Sequence, residues 1–282
     1  MTCDVSVIIP TYNSSSTLRR ALDSVYGQSL LPREIIVVDD GSDDWADSQR
    51  IAASYPDTIA LRFLRQEQNC GVSAARNVGI AAARCSYLAF LDSDDVWFKE
   101  KLSLQYEIVT SRNLDFSMHG YRDDLYTPAC QSHENAPLPP LPCSPFTRWT
   151  PLLRNDNTST VMVAREKMVL YDTSLRRGED FKAYMELLSR QGCRGVYIPR
   201  FLAGAFKPSL GVAGLSQDIK AMHLGRMLAL KKLFAEDSIP PLQFLFGIAA
   251  EMVKYPLRNL RVRLRVRALQ PRGSFPWPLT KY

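Results

Sequence analysis

The sequence predicts an α/β fold, a Rossmann-like, mostly parallel central sheet with helices on both faces, followed by a C-terminal helical extension. Three observations carry that expectation. Over the first hundred positions, short β-branched runs alternate with stretches of helical spacing. Polar clusters fall at the carboxyl ends of those runs, where open α/β sheets bind ligands. Past residue 216 the strand signal stops and helical spacing takes over.

Each element has a local reason. Val5 to Ile9 is the first strand, and Thr17 to Gln28 a helix whose apolar positions are Leu18, Leu22 and Val25. Glu34 to Val38 is the second strand, Asp44 to Tyr55 a helix, and Ala60 to Leu64 a third strand. Val72 to Cys85 is an alanine-rich helix, Tyr87 to Leu91 a buried strand, and Lys99 to Arg112 a helix. The proline-rich stretch from Thr127 to Trp149 reads as a long loop. Ser159 to Ala164 is expected as a strand, Glu179 to Arg190 as a helix and Val196 to Ile198 as a short strand. Helices over Ser216 to Ala235 and Pro241 to Tyr255 close the periodic part. This divides the chain into a domain over 1–217 and an extension over 218–282.

The chain has 282 residues, 46% of them hydrophobic, which suffices to fill a core and excludes global disorder. Its net charge of +6 would ordinarily raise nucleic acid as a partner. The distribution argues otherwise. After Glu251 there is no acidic residue, but there are eight basic ones: Lys254, Arg258, Arg261, Arg263, Arg265, Arg267, Arg272 and Lys281. The remainder holds 27 basic and 29 acidic residues, so an acidic body carries a basic tail. The six cysteines show no CxxC spacing and read as reduced thiols of a cytosolic protein. No signal peptide is expected, and the most apolar run, Phe244 to Ala250, is far shorter than the ~20 residues of a membrane span.

Asp92, Asp94 and Asp95 lie within four positions at the end of a strand. Like charges this close repel, which a Mg²⁺ or Mn²⁺ ion would relieve, although a helix N-terminus also favours aspartate. Asp39-Asp40-Gly41-Ser42 is either a site for the polar edge of a base or an ordinary Asp-Gly turn. The loop from Asn69 into a helix, with Arg76, could meet phosphate or simply cap that helix. Neither GxGxxG nor GxxxxGK[ST] occurs, so dinucleotide and P-loop sites lose support.

Taken in order, Val5 to Asn13, Glu34 to Ser42, Gly71 to Asn77, Leu91 to Asp95 and Arg177-Gly178-Glu179-Asp180 resemble the family 2 glycosyltransferases of the GT-A fold, over about residues 4 to 217. The resemblance implies that residues 1–100 bind a nucleoside diphosphate sugar, most simply a UDP-sugar, and that 101–217 hold the acceptor side and the catalytic base. Pro10, Thr11 and Tyr12 would flank the base of the nucleotide, Asp40 would read its polar edge and Asp39 would support it. Arg76 would approach the nucleotide. Asp92 and Asp94 would contact ribose or sugar hydroxyls, and Asp94 and Asp95 would hold the divalent metal, the direct ligand being open because DxD fits in two registers. Asp180, with Glu179 beside it, would be the base of an inverting transfer to a glycan or lipid-linked acceptor in surface-polysaccharide synthesis. The rival readings are a sugar nucleotidyltransferase, whose Gly-rich pyrophosphate loop is absent, and a non-catalytic nucleotide-sugar or membrane-binding module. Relatives often carry an Arg- or His-rich segment after the last core strand, where this chain has Lys207 and no histidine.

In the tail, Val253, Leu257, Leu260, Leu264 and Ala268 form one helical stripe, with arginines around much of the remaining circumference. A basic amphipathic helix of this kind suits an anionic membrane surface. Pro256 is expected to kink its start. The expected location is cytoplasmic, peripheral on the inner face of the cell membrane, with no nucleic acid as partner.

Overall fold

A computed structural model describes residues 2–123, 125, 142–154, 157–190, 192–206 and 217–269. Strands β1 (Thr2–Thr11), β2 (Leu31–Asp39), β3 (Ala60–Arg65) and β4 (Tyr87–Phe90) alternate with helices α1 (Ser15–Tyr26), α2 (Trp45–Ala53) and α3 (Val72–Ala82). The second half has β5 (Asp95–Trp97), α4 (Lys101–Ser111), β6 (Phe116–Arg122), β7 (Ser144–Phe146), α5 (Thr150–Leu153), β8 (Met162–Ala164), α6 (Glu179–Arg190) and β9 (Gly195–Ala205). Helices α7 (Ile219–Ala235) and α8 (Pro241–Leu269) follow.

The strands form one sheet in the order β3-β2-β1-β4-β8-β6-β9-β5, with β7 on β9. The first four pair in parallel, as the alternating pattern predicts. Beyond them the sheet is mixed: β8 is antiparallel to both β4 and β6, and β5 is antiparallel to β9.

Alternation along the central strands builds two cores. Val5, Val7, Ile9, Ile35 and Val37 face Leu18, Leu22 and Val25 of α1 and Leu102 and Val109 of α4. Ile8, Ile36, Val38, Leu88 and Phe90 face Ala75 and Ile80 of α3 and Ala183, Tyr184 and Leu187 of α6. Both faces are covered, which is why these strands read as continuous apolar runs. A third core joins α5 and α6 to the extension through Leu152, Phe181, Met185, Leu230, Leu233 and Ile239.

Three expected elements differ. Ser159 to Ala164 is a 3₁₀ turn, Thr158–Thr160, before β8, because the Asn157 side chain accepts the Ser159 N–H at 2.7 Å. Val196 to Ile198 is the start of the 11-residue β9, whose pairing with β6 shifts register past Ile198, where Pro199 offers no N–H. The expected helix ending at Tyr255 and the tail helix are one 29-residue helix with Pro256 inside it. Most of the proline-rich loop, positions 126–141, lies outside the described residues, as do Lys207 and positions 270–282.

Candidate active site

The polar clusters after β1, β2 and β4 lie at the carboxyl end of the parallel block, together with the loops leading into α3 and α6. After β1, Pro10 and Thr11 are buried and Tyr12 is 47% exposed. Asn13, in the left-handed region at φ 47°, crosslinks the first two loops. Its N–H donates to Ser42 Oγ at 2.9 Å, and its Oδ1 accepts the Asp43 N–H at 2.9 Å.

The two aspartates that end β2 do different work. Asp40 accepts three hydrogen bonds from the segment ahead of α3: from the Gln66 amide at 2.6 Å, the Cys70 N–H at 2.8 Å and the Gly71 N–H at 2.8 Å. Its carboxylate therefore shapes the loop on which α3 begins. Asp39 is fully buried; its Oδ2 accepts the Ser42 N–H at 3.1 Å and lies 3.7 Å from Arg65 Nε. Asp39 Oδ1 has no hydrogen-bond partner among the described residues. Arg65 stacks over the Trp45 ring at 4.2 Å, so an aromatic-guanidinium wall stands beside Asp39. Gly41 makes this turn possible: its φ is +72°, and a Cβ there would lie 2.5 Å from the Gln68 carbonyl carbon.

Arg76, on α3, links the two halves of the site. Its guanidinium is 2.7 Å from Asp92 Oδ1 and 3.5 Å from Glu179 Oε1, and lies over the Tyr171 ring at 5.3 Å. Burial disfavours its charge, but Asp92, Tyr171 and Glu179 more than compensate and hold the guanidinium protonated. Asp92 and Glu179, far apart in sequence, thereby meet at one cation.

Of the other β4-end carboxylates, Asp94 is half-buried and its backbone carbonyl accepts from Arg20 at 3.3 Å. Asp95 is 3% exposed, and both its oxygens accept hydroxyl hydrogen bonds, from Tyr121 at 2.5 Å and Ser159 at 2.6 Å. Burial, then the charges of Asp92 and Asp94, push its carboxyl up to about 8. The Asp92 N–H donates to the same Ser159 hydroxyl at 3.0 Å, so Ser159 braces the whole loop. No three His, Cys, Asp or Glu side chains converge as a metal cage among the described residues. The donors present are carboxylate oxygens on one loop, which fits Mg²⁺ or Mn²⁺ held by one or two carboxylates, with diphosphate and water completing the shell.

Asp180 opens α6 and is half-buried. Beside it, Glu179 is 8% exposed; burial and then Asp180 push its carboxyl up to about 7, against the pull of Arg76. Gly178, at φ +75°, turns the chain into this helix and packs on Gly225 of α7. Ser159, Tyr121, Arg65, Trp45 and Tyr171 escape sequence reasoning because they stand in no motif and act across long separations.

A central sheet that is parallel over β3-β2-β1-β4 and mixed beyond, with clustered aspartates at its strand ends and an acidic pair opening a later helix, has the arrangement of the GT-A fold. The chain belongs to glycosyl transferase family 2: the profile of that description matches residues 6–169, more than half of the chain. The succinoglycan biosynthesis protein ExoO of Rhizobium meliloti (strain 1021) is 29% identical over 279 residues, covering 92% of this chain and 74% of its own. The UDP-Glc:alpha-D-GlcNAc-diphosphoundecaprenol beta-1,3-glucosyltransferase WfgD of Escherichia coli is 32% identical over 117 residues, 42% of this chain and 45% of its own. Among solved structures, S. aureus TarS 1-349 in complex with UDP-GlcNAc superposes with a TM-score of 0.62 at 20% identity, over 83% of this chain and 66% of that one. The mannosyltransferase PcManGT from Pyrobaculum calidifontis, in complex with GDP-Man and Mn2+, gives 0.64 at 18% identity, over 98% and 77%. These structural likenesses establish the fold.

Proposed function

We propose that this glycosyltransferase moves a sugar from a nucleoside diphosphate donor, UDP-linked, to a hydroxyl of a lipid-linked glycan in surface-polysaccharide synthesis, inverting the anomeric centre. The observation that carries this reading is the Arg76 bridge, which ties Asp92 at the end of β4 to Glu179, the neighbour of Asp180. The relatives support the substrate classes: WfgD is named for a UDP-sugar donor and a diphospholipid acceptor, and ExoO for polysaccharide synthesis.

The residues divide the work as follows. Tyr12, with Pro10 and Thr11, flanks the nucleobase. Asp39 rather than Asp40 reads its polar edge, since Asp39 has the unpartnered oxygen and Asp40 is engaged by three donors of its own chain. Asp92 orients Arg76 and, with Asp94, meets the donor's hydroxyls. Asp94 would hold Mg²⁺ or Mn²⁺, with Asp95 behind it. When bound, the metal offsets the negative charge that builds on the departing diphosphate.

Asp180 takes the proton of the acceptor hydroxyl as its oxygen attacks the anomeric carbon. The bond from that carbon to the diphosphate oxygen breaks, its electron pair leaves with the diphosphate, and the proton stays on Asp180 until solvent removes it. One base and attack from the face opposite the leaving group invert the configuration. Arg76 supports this role from the side, supplying counter-charge to Glu179, the neighbour of Asp180.

The basic helix α8 fits the same picture. Leu257, Leu260 and Leu264 are each more than half exposed, alternating with the exposed Arg261 and Arg263. Such a face suits an anionic leaflet, each cation contributing about 1 kcal/mol near the surface. No helix among the described residues is long and apolar enough to cross a membrane.

The test is Asp180→Asn. Transfer should fall by about 10²–10⁴-fold, while stabilisation by UDP in thermal unfolding is retained. An active Asp180→Asn enzyme rejects the assignment.

A further inference from the structure

We propose that the groove between the start of α7 and the middle of α8 binds the diphosphate of a prenyl-linked acceptor and aims its sugar at the base. This rests on the transfer reading above and adds a subsite on the extension. Two adjoining hollows form the groove. One, of 570 Å³, is lined by Arg177, Asp218, Lys220, Tyr255 and Asn259. The other, of 380 Å³, shares Tyr255 and Asn259 and continues past Pro256 to Leu260 and Arg263.

The charges in and under it are lopsided. Arg177, Lys220 and Arg263 line the groove against one acid, Asp218, whose carboxylate caps α7 by accepting the Ala221 N–H at 2.9 Å. Beneath Tyr255 and Asn259, the buried Glu251 carboxylate meets three cations: Arg226 at 2.8 Å, Lys254 at 3.1 Å and Arg258 at 2.8 Å. His223, 3.8 Å from the same carboxylate, stacks on the Tyr255 ring at 4.4 Å. Arg258 is 4% exposed, and its Nε and Nη1 have no hydrogen-bond partner among the described residues. Arg258 does not itself line the groove; what suits an anion there is the excess of positive charge, three cations lining it against Asp218 and three more around Glu251.

The two ends of the groove select which anion. One end is Arg177, three residues ahead of Asp180 in the loop that opens α6. At the other, Leu260 lies in the exposed stripe with Leu257 and Leu264. A phosphate group with a sugar on one side and a hydrocarbon chain on the other matches that sequence of surfaces. A soluble phosphosugar would leave the apolar end without a partner. A lipid headgroup shares the phosphate chemistry but brings no sugar to Asp180.

The test is calorimetric titration of the full chain with farnesyl diphosphate, with saturating UDP present to fill the donor site. Lys220→Ala/Arg263→Ala, which alters only exposed side chains, should weaken binding about tenfold or more with the unfolding midpoint unchanged. Equal affinity for both proteins overturns the proposal. So does a double variant that loses phosphatidylglycerol vesicles but keeps farnesyl diphosphate, since the groove would then serve headgroups. Transfer assays separate this from the reading beneath it. An enzyme that transfers sugar yet binds farnesyl diphosphate independently of Lys220 and Arg263 removes the groove and leaves the transferase. Groove binding of farnesyl diphosphate without transfer to a prenyl-linked sugar removes the lipid-linked acceptor reading and overturns the groove as an acceptor subsite.

Discussion

Arg76 Nη1 stands 3.5 Å from Glu179 Oε1, a contact across 103 residues that ties the second turn of α3 to the first turn of α6. Because Asp92 holds the other arm of the same guanidinium, loss of Arg76 leaves two carboxylates without their cation. Arg76→Met should destabilise the fold by about 3 kcal/mol, the lower end for a broken buried pair because Asp92 is partly solvated. Transfer should fall with it. Arg76→Lys should restore part of the stability in urea unfolding but little of the rate, since one ammonium cannot reproduce a two-armed fork.

The aspartates ending β2 should separate cleanly on substitution. Asp40→Asn presents an NH₂ to a site built from N–H donors and should cost about 1–3 kcal/mol in unfolding free energy. Asp39→Asn keeps an acceptor for the Ser42 N–H, so stability should hold while UDP affinity, measured by titration calorimetry, drops about tenfold. The reverse pattern would return base reading to Asp40.

Gly225 bears on catalysis from outside the site. A Cβ there would lie 2.4 Å from the Arg177 carbonyl oxygen, pressing on the segment that leads to Asp180. Gly225→Ala should lower kcat and leave donor KM near the wild-type value. Gly247→Ala is the matched control: its Cβ would meet the flexible Leu230 side chain at 2.7 Å, so it should cost stability without the kcat loss.

Burial alone would push the Glu251 carboxyl up, but Arg226, Lys254 and Arg258 hold it at about 2. A carboxyl lowered on folding adds stability above its unfolded pKa of about 4.3, and that stability is lost as the pH falls toward 2. Glu251→Gln should therefore cost about 3–5 kcal/mol at pH 7. The gap to wild type should narrow between pH 4.5 and pH 2.5 in denaturant titrations; a gap constant with pH would refute the ion cluster.

Membrane attachment is open to a test that spares the core. Leu257, Leu260 and Leu264 are exposed, so changing all three to Ser should leave the unfolding midpoint in place. Co-sedimentation with phosphatidylglycerol vesicles should be lost, and equal sedimentation of both proteins would remove the tail's role.

The parallel block was legible because β1, β2 and β4 are buried on both faces and β-branched, and because turn residues end each run. The mixed half was not. Strand β5 has three residues, starting at an aspartate, and β9 carries Pro199 and a register shift in mid-strand, so neither shows a period long enough to detect. Of the candidate site, the carboxylates could be found, since they cluster locally. Their partners could not: Ser159 reaches Asp95 across 64 residues and Tyr121 across 26, and no local pattern encodes such contacts. The continuity of α8 through Pro256 was likewise hidden, since a proline argues for a break while the contact from Glu251 to Arg258 spans it.

The engagement of Asp40 with Gln66, Cys70 and Gly71 bears on how donor choice could be redesigned. Of two adjacent, chemically identical aspartates, one belongs to the scaffold and must be kept. The surroundings of the other, Arg65 and Trp45, belong to the outer layer of the enzyme and can be varied. A library meant to exchange one nucleobase for another should randomise positions 39, 45 and 65 and hold position 40 constant. Libraries that vary position 40 should yield mostly misfolded members instead of altered preferences.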